Sequence, residues 1–513
     1  MKKSILLFEG LMLTLAGFTQ SPVSKPNILF ILADDLGYGD LSCLNPGSKI
    51  KTPNIDRIAQ NGVTFTDAHS SSAVCSPTRY GILTGRYNWR STLKSGVLDG
   101  YSPALIPPDR TTMASMLKKQ GYHTAGIGKW HLGWRWNNIE NGKENVNFSK
   151  PITNGPTTLG FDYFYGFSGS LDMPPYVYVE NDMPTAVPEH VTVGNNISQG
   201  KPGSDGSYWR QGPTGGDFEH RNCLPNFVGR AINFIKESSK SNKPYFLYLP
   251  IPAPHTPILP SSEFIGKSGL NQYADFVLMV DFEVGRILKA IEESGQKENT
   301  IVVFASDNGC SPWADFEALI KKEHNPSYLF RGYKADLFEG GHHIPCLVQW
   351  PKRIVEPHTV SQTICLNDFM ATFASVADYP LQDNEAEDSY NLLPILLNPG
   401  YSKTIREATV HHSINGSFTI RKGDWKLLLA AGSGGWSSPK PGNEEKGLPL
   451  LQLYNLKMDP EEKVNVQDRN PEVLKQLKSL LIKYIEDGRS THGKPQKNDG
   501  IYPWKQIENL IVK

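Results

Sequence analysis

Cys75 opens the run Cys75-Ser76-Pro77-Thr78-Arg79, which continues as Tyr80-Gly81-Ile82-Leu83-Thr84-Gly85-Arg86. Pro77 suits the first turn of a helix, where its missing N–H costs nothing. Cys75 then falls at the helix N-terminus, beside unpaired N–H groups and the positive end of the dipole. Arg79 lies one turn further on and can reach back to the same spot. A small nucleophile beside a fixed cation suits the chemistry of an anionic ester. The bland alternative for a bare Cys-x-Pro-x-Arg is a buried structural cysteine with a surface arginine.

Charged or polar groups also follow four apolar segments that read as strands. Asp34-Asp35 follow residues 27–33, and Lys129 and His131 follow residues 123–127. His255, in Pro254-His255-Thr256-Pro257, follows 245–249, and Asp307-Asn308 follow 300–304. Open α/β sheets place their sites beyond the carboxyl ends of strands, so these groups can converge. Taken singly, paired acids are often a cap or a solvated turn, and a lone histidine is often core or surface. Together with the Cys75 segment they point to one site.

The elements that must position them alternate. Residues 27–33 form a near-continuous apolar run, as expected for a strand buried on both faces of a parallel sheet. Thr52-Pro53 opens a short helix, and further helices are predicted over 112–120, 227–237 and 273–293. Strands alternating with helices imply an α/β unit with a large, mainly parallel sheet flanked by helices. That unit is expected over 25–385. Residues 137–221, rich in Gly, Pro, Asn and aromatics, read as long loops or insertions of the kind that carry specificity. Beyond 385 the pattern changes. A hairpin turns at Lys422-Gly423-Asp424, a strand covers 451–454, and a helix runs from Asn470-Pro471 to 486. A smaller α+β subdomain of antiparallel strands and a helix is therefore expected over 386–513.

Lys plus Arg and Asp plus Glu both number 52 in 513 residues, so the net charge is near zero. Nothing in that balance argues for nucleic acid, and attraction for an anion must be local. Met1-Lys2-Lys3, an apolar stretch over 5–18 and polar residues after it follow the order of a secretory signal over 1–20. A short membrane anchor is the alternative. No later segment reaches the ~18 apolar residues of a membrane span. The six cysteines show no zinc-like spacing, and their disulfide pairing is undetermined.

The Cys75–Arg86 run resembles the complete signature of the type I sulfatases, in the alkaline-phosphatase superfamily. The resemblance extends from about residue 25 to Asn465 and includes Gly128-Lys129-Trp130-His131 and Glu339-Gly340-Gly341 after Lys334. It implies that Cys75 is oxidised to formylglycine by a maturation enzyme. It assigns Asp34, Asp35, Asp307 and Asn308, with the modified Cys75, to a calcium ion, a hard cation on oxygen donors. Arg79, Lys129 and Lys334 would neutralise sulfate oxygens. Asp307 would serve as base, His255 as acid toward the leaving sugar, and His131 would take the second hydroxyl proton. The family usually carries Arg where His343 stands, which leaves the role of that position open. Residues 168–178 resemble secreted bacterial carbohydrate sulfatases. The expected substrate is therefore a sulfated glycan sugar, with galactose or N-acetylgalactosamine the guess, and the expected location periplasmic or secreted. Asp172 and His220 are the candidates to touch the sugar. Rival readings are a phosphate or phosphonate ester hydrolase of the same superfamily and a non-catalytic protein that binds sulfated glycans.

Overall fold

The computed structural model describes residues 25–138, 145–195 and 208–511. The expected signal segment, 1–20, lies outside the described residues. Among those described, no helix is long and apolar enough to cross a membrane.

Ten strands form one sheet. They are β1 (Asn27–Ala33), β2 (Gly62–Phe65), β3 (His123–Lys129), β4 (Tyr163–Phe167), β5 (Val179–Glu180), β6 (Met183–Pro184), β7 (Tyr245–Pro250), β8 (Thr300–Ser306), β9 (Cys346–Gln349) and β10 (His358–Val360). Their order across the sheet is β10-β2-β9-β8-β1-β7-β3-β4-β5-β6. From β8 to β4 every pairing is parallel, while β9 runs antiparallel to both β8 and β2. The apolar run of β1 has its physical reason here. Ile28, Phe30 and Leu32 enter the core on one face, and Leu29, Ile31 and Ala33 enter the core on the other. A strand covered on both faces has no polar side.

The flanking helices are α1 (Pro53–Gln60), α2 (Cys75–Thr84), α3 (Met113–Lys119), α4 (Cys223–Ser238), α5 (Gln272–Glu293) and α6 (Asp368–Val376). Tyr80, Ile82, Met113 and Phe369 place α2, α3 and α6 on one face. Ile55, Phe227, Val277 and Val280 place α1, α4 and α5 on the other. Asn271 starts α5 by accepting a hydrogen bond from the Ala274 N–H at 3.0 Å.

One expectation needs correction. The region read as loops, 137–221, contributes β4, which pairs with β3 in the parallel centre of the sheet. Its sequence, Tyr163-Phe164-Tyr165-Gly166-Phe167, is short and broken by a glycine, so it carries no clear alternation. Helix α4 also begins a turn earlier than its periodicity suggested.

A second, antiparallel sheet follows, of β11 (Thr409–His412), β12 (Phe418–Lys422), β13 (Trp425–Leu428) and β14 (Gln452–Asn455). Helix α7 (Pro471–Glu486) buries Leu477, Leu481 and Ile485 against Val410, Ile420, Leu427 and Leu453 of this sheet. His412 also bridges back to Ser72, just ahead of Cys75.

Candidate active site

The C-terminal ends of β1, β3, β7 and β8 deliver their charged groups to one place. Helix α2 starts at Cys75, with Val74 as its cap in extended conformation. Cys75 is 2% exposed. Burial pushes its thiol up to about 12, although Lys129 and Lys334 pull the other way. An unmodified Cys75 is therefore a protonated thiol at neutral pH, a weak nucleophile.

Acids and cations interlock around it. Lys129 Nζ donates to Asp34 Oδ2 at 2.6 Å and to Ser170 Oγ at 3.0 Å. Lys334 Nζ lies 2.7 and 2.8 Å from the two carboxylate oxygens of Asp35. Arg79 donates to Asp307 Oδ2 and to the Lys129 carbonyl. Burial pushes Asp307 up to about 7, with the adjoining Asp34 carboxylate adding to the effect. Burial acts on Asp34 in the same sense, but Lys129, His255, Arg79 and Lys334 outweigh it and hold this carboxyl well below the usual range. The acids thus crowd each other despite three buried cations, as expected of a site shaped for a further positive charge.

Two orphaned oxygens test whether the residues fit a metal ion. Asn308 Oδ1 and Asp34 Oδ1 are buried and have no hydrogen-bond partner. Ligand atoms of Asp34, Asp35, Cys75 and His255 lie within 4.8 Å of one another. Carboxylate and amide oxygens suit a hard cation such as calcium. The backbone is shaped to the same end. Asp35 and His131 adopt positive φ, at 64° and 54°, a conformation that costs a side-chain-bearing residue ~1–3 kcal/mol. Gly309 lets the Asp307-Asn308 turn close on the Gly340-Gly341 backbone, where any Cβ would collide with the Gly340 carbonyl.

The two histidines are held in opposite tautomers. His131 Nε2 lies 2.7 Å from the Leu98 carbonyl, which can only accept, so the proton sits there. Nδ1 is then bare, and it is buried without a partner. Burial, Lys129 and Arg79 hold the ring neutral. His255 Nδ1 lies 2.5 Å from the Thr256 carbonyl, which fixes that proton and turns Nε2 toward Asp35 Oδ2 at 3.6 Å.

A cavity of about 310 Å³ is lined by Cys75, His131, His255 and Lys334 together with Asp172, Arg210, Trp313 and Trp436. Asp172 Oδ2 pairs with Arg210 Nη1 at 2.5 Å, while its Oδ1 is buried with no partner. His220 is placed differently. Its ring is enclosed by Tyr176, Trp209 and Phe218 at centroid distances of 4.4, 5.3 and 5.2 Å, and it does not line this cavity. Arg210, Trp313 and Trp436 join the site without a sequence signal that singled them out, and Ser170 joins it from within the 168–178 segment. Arg79, fully buried against Asp307 and the Lys129 carbonyl, and Lys129, also fully buried, are not among the residues that line the cavity. His343, at the departure from the family pattern, donates from Nε2 to the Thr66 carbonyl at 2.9 Å and sets Nδ1 3.0 Å from Glu339 Oε2.

A sulfatase family model matches residues 26–379, and the chain belongs to that family. It is a sulfuric ester hydrolase. The chain is 35% identical over 496 residues to an N-acetylgalactosamine-6-O-sulfatase of Bacteroides thetaiotaomicron, an alignment covering 89% of this chain and 92% of the relative. It is 31% identical to human arylsulfatase A over 502 residues, covering 94% and 92%. A solved sulfatase from the metabolism of multiple glycosaminoglycans by Bacteroides thetaiotaomicron superposes with a TM-score of 0.76 at 34% identity, over 90% of this chain and 99% of that one.

Proposed function

We propose that this enzyme removes a 6-O-sulfate from N-acetylgalactosamine or galactose in a sulfated glycan. The site would use a formylglycine made from Cys75 by a maturation enzyme, and a calcium ion on Asp34, Asp35, Asp307 and Asn308. One observation carries the reading. The cavity that holds Cys75, His131, His255 and Lys334 also holds Asp172, whose free buried Oδ1 suits a sugar hydroxyl. The 6-position follows the activity named for the Bacteroides thetaiotaomicron relative. The leader-like segment 1–20 supports export to the periplasm or beyond.

When formed, the formylglycine hydrate supplies a hydroxyl nucleophile and a route to release sulfate without water attacking the adduct. A calcium ion held by Asp34, Asp35, Asp307 and Asn308 would supply Lewis-acid charge to the site. The rest falls to the chain. Lys129 and Lys334 flank the nucleophile position and orient an anionic sulfate. His255, once its Nε2 is protonated in addition to Nδ1, gives that Nε2 proton to the departing sugar oxygen. His131 receives a proton at Nδ1, the atom its Leu98 bond leaves bare. Asp307 would take the proton of the attacking hydroxyl, and Arg79 keeps its carboxylate in place. Asp172 orients the sugar ring, with Arg210 fixing its carboxylate.

The test is a paired assay on N-acetylgalactosamine 6-sulfate and 4-sulfate. Release from the 6-sulfate with little from the 4-sulfate is expected. Equal release, or release from the 4-sulfate alone, would remove the positional assignment.

A further inference from the structure

A second buried cluster lies behind the segment that leads into Cys75. It joins three distant parts of the chain: His69 just after β2, His342 in the Glu339–His342 turn, and His411 in β11. All three side chains are fully buried, and one ring nitrogen of each lies within 4.8 Å of the other two.

The neighbours of the three rings allow a tautomer of each that frees one nitrogen for a ligand. His411 Nδ1 lies 2.7 Å from the Ser70 carbonyl, which only accepts, so the proton is on Nδ1 and Nε2 is bare. That Nε2 is buried with no partner. His342 Nε2 lies 3.0 Å from the Leu337 carbonyl and 3.2 Å from Lys426 Nζ; a proton directed at the carbonyl leaves Nδ1 bare. His69 Nε2 lies 2.8 Å from Asp67 Oδ1 and 3.0 Å from Arg421 Nη1, which also donates to Asp67 Oδ1; a proton on Nε2 directed at the carboxylate spares it a lone-pair clash. Its Nδ1 is then bare as well, and it faces His342 Nδ1 at 3.0 Å. In these tautomers three bare imidazole nitrogens meet in the buried interior, those of His69 and His342 3.0 Å apart. Each ring gives its other N–H to a carboxylate or a backbone carbonyl, the arrangement that orients metal-ligating histidines.

We propose that His69, His342 and His411 bind a borderline transition ion, zinc by preference, as a structural site. Nitrogen donors select such an ion over calcium. The surrounding charge also has room for a cation, since Asp67, Glu339 and Glu462 outnumber Arg421 and Lys426 within the same ion-pair network. Zinc–nitrogen bonds of about 2.0–2.1 Å put tetrahedral ligands about 3.3–3.4 Å apart, so the His69–His342 gap must widen by only a few tenths of an ångström. His342 and His411 stack at 4.0 Å and 8° from parallel, so one of these rings must tilt to share an ion. Bound there, the ion ties β11 of the second sheet to the backbone that carries the nucleophile. The competing arrangement has no ion. His342 then donates from Nδ1 to His69 Nδ1, accepts from Lys426 Nζ at 3.2 Å, and leaves His411 Nε2 alone.

Chelator-treated full-length protein is titrated with Co²⁺, followed by its visible d–d bands and by metal analysis. Saturable binding of one ion per chain, displaced by Zn²⁺, retained in Asp34→Ala and lost in His411→Ala, is expected. Absence of bands and of stoichiometric binding in the wild type would overturn the site. So would binding that survives both His411→Ala and His342→Ala, or that disappears in Asp34→Ala, which would assign the ion to the catalytic cluster. Where a variant fails to fold, the wild-type bands decide: intense bands of tetrahedral, nitrogen-ligated Co²⁺ support the site, and the weak bands of an octahedral oxygen site overturn it.

Discussion

Arg79 Nη2 lies 2.7 Å from Asp307 Oδ2, with both side chains fully buried. The arginine of the nucleophile helix thus acts first on a carboxylate of the proposed metal site, and through its Nη1 bond to the Lys129 carbonyl on the end of β3. Removing one member of a buried ion pair costs about 3–5 kcal/mol, because the other charge is left uncompensated. Arg79→Gln should therefore lower the apparent Tm and reduce calcium content as well as turnover. Thermal unfolding and metal analysis on one preparation check this. A variant that loses only turnover would place Arg79 on the substrate rather than on Asp307.

Chelation is the direct test of the oxygen cluster. EGTA should abolish activity, and calcium should restore it. Asp34→Ala and Asn308→Ala should lose the bound calcium, since each removes one of the buried oxygens that have no hydrogen-bond partner. Full activity in a protein shown to be calcium-free would contradict the assignment.

The acid role of His255 has a pH signature. Burial and Lys334 hold its ring below the ordinary imidazole value. An acid must carry its proton, so its contribution is present below its pKa and is lost as pH rises through it. On a sugar sulfate, kcat/KM should decline toward alkaline pH with a midpoint below about 6.5. On a nitrophenyl sulfate, whose leaving group needs little protonation, this limb should be weaker. His255→Ala should cost at least ~10² in kcat on the sugar and less on the aryl ester. Equal losses on both would remove His255 from this role.

Asp172 offers a contact that an aryl sulfate cannot use. Asp172→Ala should lower kcat/KM on the glycan by roughly 10- to 100-fold, the worth of a hydrogen bond to a charged group. Arg210→Ala should act in the same direction by releasing the Asp172 carboxylate. Rates on nitrophenyl sulfate should change little. His220→Ala separates two roles for that ring. A loss on the glycan alone would mark a sugar contact, and a matched loss of stability would mark support for Tyr176 and Trp209.

The legible parts of this molecule are the locally encoded ones. Strands β1, β7 and β8 stand out because burial on both faces leaves no polar side, and the groups after them form the site. Cys75 stands out because a helix start is written within a few residues. Strand β4 is hidden by Gly166, and β5 and β6 are too short for any period to show. Arg210 is invisible for another reason. Its partner Asp172 lies 38 residues away, and only the fold joins them. The same holds for His69, His342 and His411, whose separation conceals a cluster that any metal spacing rule would miss.

The central claim is that sulfate is removed at the position of Cys75 in its oxidised form. It is tested by the mass of the peptide spanning Cys75, read alongside sulfate release from N-acetylgalactosamine 6-sulfate by the same preparations. Formylglycine in the peptide, turnover that scales with its fraction, and none in Cys75→Ala are predicted. Undiminished turnover by Cys75→Ala, or by protein whose Cys75 is wholly unmodified, would contradict the account.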